Sequence, residues 1–207
     1  MKSVFSSVLF SLAIYLSGCG SIQTAGEVTQ GRQAFLIGNN AAALAYFQSA
    51  AQRDPDYIFE TPLRQGVWSY VGRTEYVVGR FPQARQSLER ALSANRREDI
   101  ARLYLGMTLA REGDRQRGLK EIEGGMRGIH GWLEDLSQML RFSAGKYWDP
   151  QRQIRAEIQT TLAMLSTPGV DWDKVIASGE WVGITMEAEA DRALRSENFD
   201  FSHLSDP

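Results

Sequence analysis

The sequence predicts an all-α protein built from helical hairpins, and three observations lead to this prediction. Helix-favouring residues dominate the 207-residue chain, which holds only six prolines. Apolar residues recur at helical spacing through most of its length. Between residues 65 and 132, one pattern of small and apolar residues occurs twice at an offset of 34, as in stacked helical hairpins. The first copy comprises Trp68, Val71, Gly72, Gly79, Ala84, Leu88 and Ala91, and the second comprises Arg102, Leu105, Gly106, Gly113, Gly118, Ile122 and Gly125.

The composition excludes several classes of function. A length of 207 residues fits one domain, and a hydrophobic fraction of 43% is enough to form a core. The formal net charge of −2 gives no electrostatic basis for binding nucleic acid. One cysteine and two histidines exclude an intrachain disulfide and argue against a Cys/His metal site. We therefore expect no cofactor, no metal and no nucleic-acid partner.

The first element is a short apolar stretch at the front of the chain. Lys2 is followed by an apolar run from residue 4 to residue 16, which is too short to span a membrane comfortably. The run ends in Leu16-Ser17-Gly18-Cys19, and Cys19 is the only cysteine of the chain. This order resembles the lipobox of bacterial lipoprotein signal peptides. An ordinary secretory signal with an unrelated cysteine is the alternative.

The lipobox resemblance implies a processing route and a location. Residues 1–18 would be a removed signal peptide, and Cys19 would carry three acyl chains on a short tether, 19–25. Gly20 stands where an aspartate usually retains such proteins at the inner membrane of Gram-negative cells. The resemblance therefore implies an outer-membrane lipoprotein that faces the periplasm.

Three hairpins are predicted to follow the tether. A first hairpin at 24–57 has the same pattern as the two later ones and turns at Gly38-Asn39-Asn40, since Gly and Asn tolerate a left-handed conformation. Residues 58–64 interrupt the period. The second hairpin spans 65–98 and the third 99–132, with turns at Gly79 and Gly113.

These positions resemble the tetratricopeptide repeat, whose period is 34. Trp68 and Gly72 match its first helix. The matches to its second helix in the first hairpin are Ala43, Phe47, Ala50 and Pro55. The third hairpin departs from the pattern, because Gly118 and Gly125 replace alanines. We expect each glycine to weaken that hairpin by about 0.5–1 kcal/mol.

The C-terminal part, 131–196, is predicted to cap the hairpins, because the last hairpin of such an array exposes an apolar face. The predicted helices are a capping helix at 131–142, one from Asp149-Pro150 to Thr167-Pro168-Gly169, a short one at 172–178 and a last one at about 180–195. We expect Trp148, Trp172 and Trp181 to pack as apolar anchors. A flexible tail is predicted at 197–207, where periodicity is lost.

The repeat resemblance implies that the first helix of each hairpin lines a binding groove. The candidate partner-binding residues are Arg32, Phe35, Leu36, Arg73, Tyr76, Val77 and Arg111. Arg32 and Arg73 occupy the same repeat position, as do Phe35 and Tyr76. A guanidinium beside an aromatic ring can hold a carboxylate and an apolar side chain of an extended peptide. The alternative is that the arginines pair with acids of the C-terminal helices.

The third hairpin suggests that the groove is partly covered. Ile100, Leu103 and Met107 take the groove positions there and are too apolar to face water. We expect the C-terminal helices to cover them. Neither the Glu121/Glu123 pair, on different helix faces, nor His130, without a nucleophile beside it, indicates catalysis.

The sequence therefore predicts a membrane-anchored adaptor, not an enzyme. It would bind other envelope proteins or peptides through the groove. The alternative function is a small-molecule-binding lipoprotein whose pocket is closed by the C-terminal helices.

Overall fold

A computed structural model describes residues 21–60, 63–139 and 148–202. These residues form eight helices and one short antiparallel strand pair, which confirms the all-α prediction. The helices are α1 (21–36), α2 (Asn40–Arg53), α3 (Val67–Val77), α4 (Phe81–Ala94), α5 (Asp99–Arg111), α6 (Arg115–Met139), α7 (Gln153–Leu165) and α8 (Trp172–Ser202); the strands are β1 (Ile58–Phe59) and β2 (Gln65–Gly66). The predicted signal peptide, its Cys19 anchor, residues 140–142 of the capping helix and residues 203–207 of the tail lie outside the described residues.

The first three hairpins, α1–α2, α3–α4 and α5–α6, share one turn geometry. Gly38, Gly79 and Gly113 have φ values of 78°, 76° and 96°, a backbone conformation that residues with a Cβ rarely adopt. After each glycine, the next residue donates its N–H to a carbonyl five positions back, at 2.8–2.9 Å. This arrangement closes the C-terminus of a helix. Gly79 and Gly113 keep the 34-residue offset, and the β1–β2 insertion separates them from the first hairpin.

A second repeated feature is a glycine where the two helices of a hairpin cross. Gly31, Gly72 and Gly106 lie against Phe47, Leu88 and Ile122, respectively. A Cβ on any of these glycines would lie 2.5–2.6 Å from its neighbour, which is shorter than van der Waals contact. The glycines therefore set the distance between the two helices of each hairpin.

The third hairpin corrects the expectation about Gly118 and Gly125. A Cβ on Gly118 would lie 2.8 Å from the carbonyl oxygen of Gly106, and one on Gly125 would lie 2.7 Å from the amide nitrogen of Leu103. These glycines thus allow the backbones of α5 and α6 to touch. An alanine at either position would force the two helices apart, so the expected weakening relative to alanine is wrong.

Two predicted helix boundaries are absent from the structure. Helix α6 continues without a break through residue 131, because buried Ile129 and Leu133 extend one apolar stripe across it. Helix α8 likewise joins the two predicted segments 172–178 and 180–195 and continues through residues 197–202. Residues 21–25 of the predicted tether already belong to α1. The apolar pattern of the sequence therefore predicted these helical segments but split each of two continuous helices, α6 and α8, into two.

Helix α7 begins three residues after Pro150. Asp149 has a φ of 45°, and the chain turns before Gln153 starts the helix. The Asp149 carboxylate accepts hydrogen bonds from the amides of Ile154 and Arg155 at 3.0 and 3.2 Å. The predicted start at Asp149-Pro150 is therefore wrong, since Arg152 is the N-cap, although the Asp149 carboxylate still binds two amides of the first turn.

Helix α8 crosses the first helices of all three hairpins. Gly179 and Gly183 lie against Met107 and Tyr104 of α5, and Glu187 contacts α3 and α1. Ile100, Leu103 and Met107 are buried, and the last two contact α8 at Gly179, as expected. Within the described ranges, no helix is both long enough and apolar enough to span a bilayer.

Candidate functional site

Helix α8 carries two glutamates that meet the hairpins in different surroundings. Glu180 and Glu187 are seven residues apart, which is two helical turns, so they lie on the same face of α8. Glu187 belongs to a buried cluster with Arg32 and Arg73, which we call the ion cluster. Glu180 lies at the mouth of a cavity that we call the turn pocket, because it follows the hairpin turns.

The ion cluster holds the two arginines that the sequence placed at one repeat position. Arg32 Nε donates to Glu187 Oε1, and Arg73 Nη1 donates to Glu187 Oε2 at 3.0 Å. The side chains of Arg32, Arg73 and Glu187 are 2%, 1% and 1% exposed. The structure thus brings the arginines together but does not leave them on an open groove, because α8 supplies the carboxylate. The structure therefore has the alternative arrangement, in which both arginines pair with an acid of the C-terminal helices.

Aromatic rings and an amide complete the ion cluster. The Arg32 guanidinium lies 4.5 Å above the centre of the Phe59 ring, and that of Arg73 lies 5.3 Å from the ring of Tyr104. Arg73 also donates to Gln65 Oε1 at 2.7 Å. Burial of Glu187 opposes its ionisation, but the charges and hydrogen bonds of the two arginines outweigh burial and lower its pKa. The cluster is therefore ionised and has no solvent-facing surface.

The turn pocket contains the other five predicted site residues. Phe35, Leu36, Tyr76, Val77 and Arg111 line a cavity of about 650 Å³. Leu36, Val77 and Arg111 occupy equivalent positions near the ends of α1, α3 and α5. The opposite wall comes from α8. It includes Glu180, Trp181 and Ile184.

Exposed apolar side chains surround the turn pocket. Val77, at 41% exposure, and Trp181 line it and also face solvent. Ile37 and Val78 are exposed as well, and each lies in the chain between two lining residues. An apolar patch around a cavity is a common mark of an interaction site. Trp181 is therefore exposed at the turn pocket and is not packed as an internal anchor, whereas Trp148 is buried as expected.

Three polar side chains meet at the mouth of the turn pocket. The Tyr76 hydroxyl donates to Glu180 Oε1 at 2.6 Å, and Arg111 Nη2 lies 3.5 Å from the same oxygen. Burial, followed by the bond to Glu180, raises the pKa of Tyr76. The hydrogen bond with Tyr76 is the first cause of the raised pKa of Arg111. Tyr76 is thus a neutral donor beside the salt bridge of Arg111 with Glu180.

A third glutamate is buried without a cation in direct contact. Glu98 precedes α5 and accepts a hydrogen bond from the amide of Gly66 at 3.2 Å. Burial raises its pKa to about 7, although the hydrogen bond from Gly66, the nearby Ser69 hydroxyl and the charge of Arg73 act in the opposite direction. Glu98 thus shows what burial does to a carboxyl group whose counterion is remote.

Sequence reasoning missed the contributions of α8. No acid of α8 is among the predicted site residues, yet Glu187, Glu189 and Asp191 are all buried. A usable signal was present, because two arginines at one repeat position require acids if they are covered. Among the described residues, no group of three His, Cys, Asp or Glu side chains is placed to hold a metal ion.

Comparisons with protein-family models, curated proteins and solved structures find no match to this chain.

Proposed function

We propose that this chain is a lipid-anchored adaptor of the bacterial envelope with a binding, not a catalytic, role. Three hairpins of the tetratricopeptide type form its framework, and the turn pocket captures an apolar segment of another envelope protein. The shared turns, the 34-residue offset and the glycines at the helix crossings support this assignment of the hairpins. α8 occupies the groove face, so binding is assigned to the turn pocket.

The observation that carries the proposal is the turn pocket itself. Five residues selected from the sequence line it, and exposed Val77 and Trp181 give it an accessible apolar surface. Buried apolar and aromatic anchors supply most of the energy in protein interfaces. A partner side chain that enters the pocket removes apolar surface of both proteins from water.

The anchor at Cys19 gives this pocket its place of action in the proposal. Helix α1 is already formed at residue 21, two residues after Cys19, so a lipid on that thiol holds the hairpins next to the bilayer. Several acyl chains make such attachment durable. Tethering raises the effective concentration of the adaptor for partners in the same membrane. The outer membrane, facing the periplasm, is the proposed location.

The experiment is crosslinking in intact cells that express the protein, followed by affinity capture. Val77→Glu places a charge in the turn pocket, and we expect it to abolish at least one crosslinked partner of the wild type. Ile58→Glu is the matched control, because Ile58 is 40% exposed but lies in β1, away from the pocket. Circular dichroism checks that both variants are folded. A Val77→Glu variant that keeps every partner contradicts the proposal.

A small apolar ligand is the second candidate for the same pocket. Its volume of about 650 Å³ lies within the range of small-molecule sites, which spans roughly 300–1,000 Å³. Native mass spectrometry of the captured protein tests this candidate. A bound small molecule that Val77→Glu releases, with the protein partners unchanged, favours the second candidate over the first.

A further inference from the structure

The mouth of the turn pocket holds an acid–base pair that balances its own charge. Arg111 and Glu180 are 42% and 45% exposed, so both reach the solvent where a ligand would enter. The contacts of Glu180 with Tyr76 and Arg111 both use Oε1. Among the described residues, no further hydrogen bond of Glu180 through Oε2 and no second ion pair of Arg111 is present, so both side chains keep capacity for a ligand.

This pair selects against ligands with a net charge. A carboxylate that approaches Arg111 also approaches Glu180 and is repelled by it. An ammonium group that approaches Glu180 meets Arg111 in the same way. A group that offers one donor and one acceptor without net charge satisfies both side chains.

One residue of an extended main chain has these properties, because its own N–H and C=O point to the same side of the chain, as in a hydrogen-bonded pair of an antiparallel sheet. Its carbonyl would accept from Arg111, and its N–H would donate to Glu180 Oε2. The apolar walls beside the pair, including Phe35, Val77 and Ile184, would hold the adjacent side chains.

We propose that the turn pocket binds an uncharged, extended polypeptide segment whose main chain is held by Arg111 and Glu180 and whose apolar side chains enter the cavity. The inference rests on the proposed function and names the chemistry of its partner. It differs from recognition by the arginines of the groove, since Arg32 and Arg73 are sealed in the ion cluster.

A second depression extends the pocket along α8. It has a volume of about 480 Å³, shares Trp181 and Ala177 with the turn pocket, and is bordered by Met164 of α7. A segment longer than the turn pocket therefore continues across the Trp181 indole. An extended chain advances about 3.3 Å per residue, and its side chains alternate between two sides. Two side chains on the same side are therefore two residues apart, and one would lie on each side of the Trp181 ring.

The test uses three tripeptide probes that carry the same side chains and differ in which of their termini are blocked. They are acetyl-Leu-Phe-Leu-amide, acetyl-Leu-Phe-Leu with a free carboxylate, and Leu-Phe-Leu-amide with a free amine. Isothermal titration calorimetry with the full-length chain measures each dissociation constant. We expect the uncharged probe to bind at least about tenfold more tightly than either charged probe, which corresponds to about 1.4 kcal/mol.

Charge-removing variants make the test specific to the pair. Glu180→Gln leaves Arg111 unbalanced and should improve binding of the carboxylate probe, whereas Arg111→Gln should improve binding of the amine probe. Glu89→Gln is the matched control, because Arg85 and Glu89 form an exposed pair of similar accessibility on α4. It should leave all three affinities unchanged.

Three outcomes overturn the inference. A wild type that binds a charged probe as tightly as the uncharged one shows that the pair does not select. Variants that bind all probes like the wild type show that the pair does not contact the ligand. If Val77→Glu removes crosslinked partners while no probe binds, the inference fails and the proposed function stands. If the uncharged probe binds while Val77→Glu keeps every partner, the proposed function fails instead.

Discussion

Glu187 and Glu180 lie two turns apart on one face of α8 and both pair with arginines of the hairpins, yet their surroundings are opposite. Glu187 is enclosed with Arg32 and Arg73 under the path of α8. Glu180 and Arg111 are both exposed to solvent at the mouth of the turn pocket. The same pairing is therefore structural in one region and available to a ligand in the other. The path of α8, and not the type of residue, therefore decides which pair is structural and which pair can meet a ligand.

The energetics of the two pairs should differ as their burial does. Removing one partner of a buried ion pair typically costs about 3–5 kcal/mol, because a charge stays buried without its counterion. An exposed pair contributes about 0–1 kcal/mol, because water screens it. Three glutamine substitutions measure this contrast, each of which removes a carboxylate charge at nearly constant volume.

Glu187→Gln should have the largest effect. It leaves the guanidiniums of Arg32 and Arg73 buried together without their shared carboxylate. We expect the free energy of unfolding to fall by about 3–5 kcal/mol, as measured by urea denaturation at pH 7. A loss below about 1 kcal/mol would mean that Asp191 and the aromatic rings already neutralise the arginines.

Glu98→Gln should have an intermediate effect that depends on pH. Below pH 4.5 the carboxyl is protonated in both the folded and unfolded states. As pH rises from 4.5 to about 7, the unfolded chain releases this proton while the folded chain retains it, so stability falls by about 3 kcal/mol. We expect Glu98→Gln to remove this loss and to be more stable than wild type at pH 8, but not at pH 4.

The control for this second prediction lies in Glu187, whose pH dependence has the opposite sign. Its pKa is lowered in the fold, so its stabilisation is present above the ordinary pKa of a glutamate and is lost as pH falls through the lowered value. Urea denaturation curves of both variants from about pH 3 to pH 8 separate the two contributions, because the loss due to Glu187 lies below pH 4.5 and the loss due to Glu98 lies between pH 4.5 and about 7. Parallel pH profiles for wild type and Glu98→Gln would contradict the raised pKa of Glu98.

Glu180→Gln should change stability least. Its side chain is nearly half exposed, and the glutamine can still accept the hydrogen bond from Tyr76. We expect the free energy of unfolding at pH 7 to change by less than about 1 kcal/mol, in the same urea experiment as Glu187→Gln. A loss similar to that of Glu187→Gln would show that the turn pocket is part of the core and would end the comparison between the two regions.

The three hairpins could be predicted from local sequence features. Gly38, Gly79 and Gly113 mark the three turns because a positive φ is a local property of the chain. The resemblance to the tetratricopeptide repeat, and not periodicity alone, selected Phe35, Leu36, Tyr76, Val77 and Arg111, and the structure brings these five together around the turn pocket. Repeated local patterns stack in register, and stacking converts equal sequence positions into neighbours in space.

Only the tertiary structure decided which of these neighbours remain accessible. Arg32 and Arg73 are 155 and 114 residues from Glu187 along the chain, and no periodic pattern relates positions so far apart. The crossing of α8 depends on close contacts such as that of Gly183 with Tyr104, which follow from the complementary shapes of distant helices. Local spacing selects a helix and its faces, but which face is covered depends on the element that packs there.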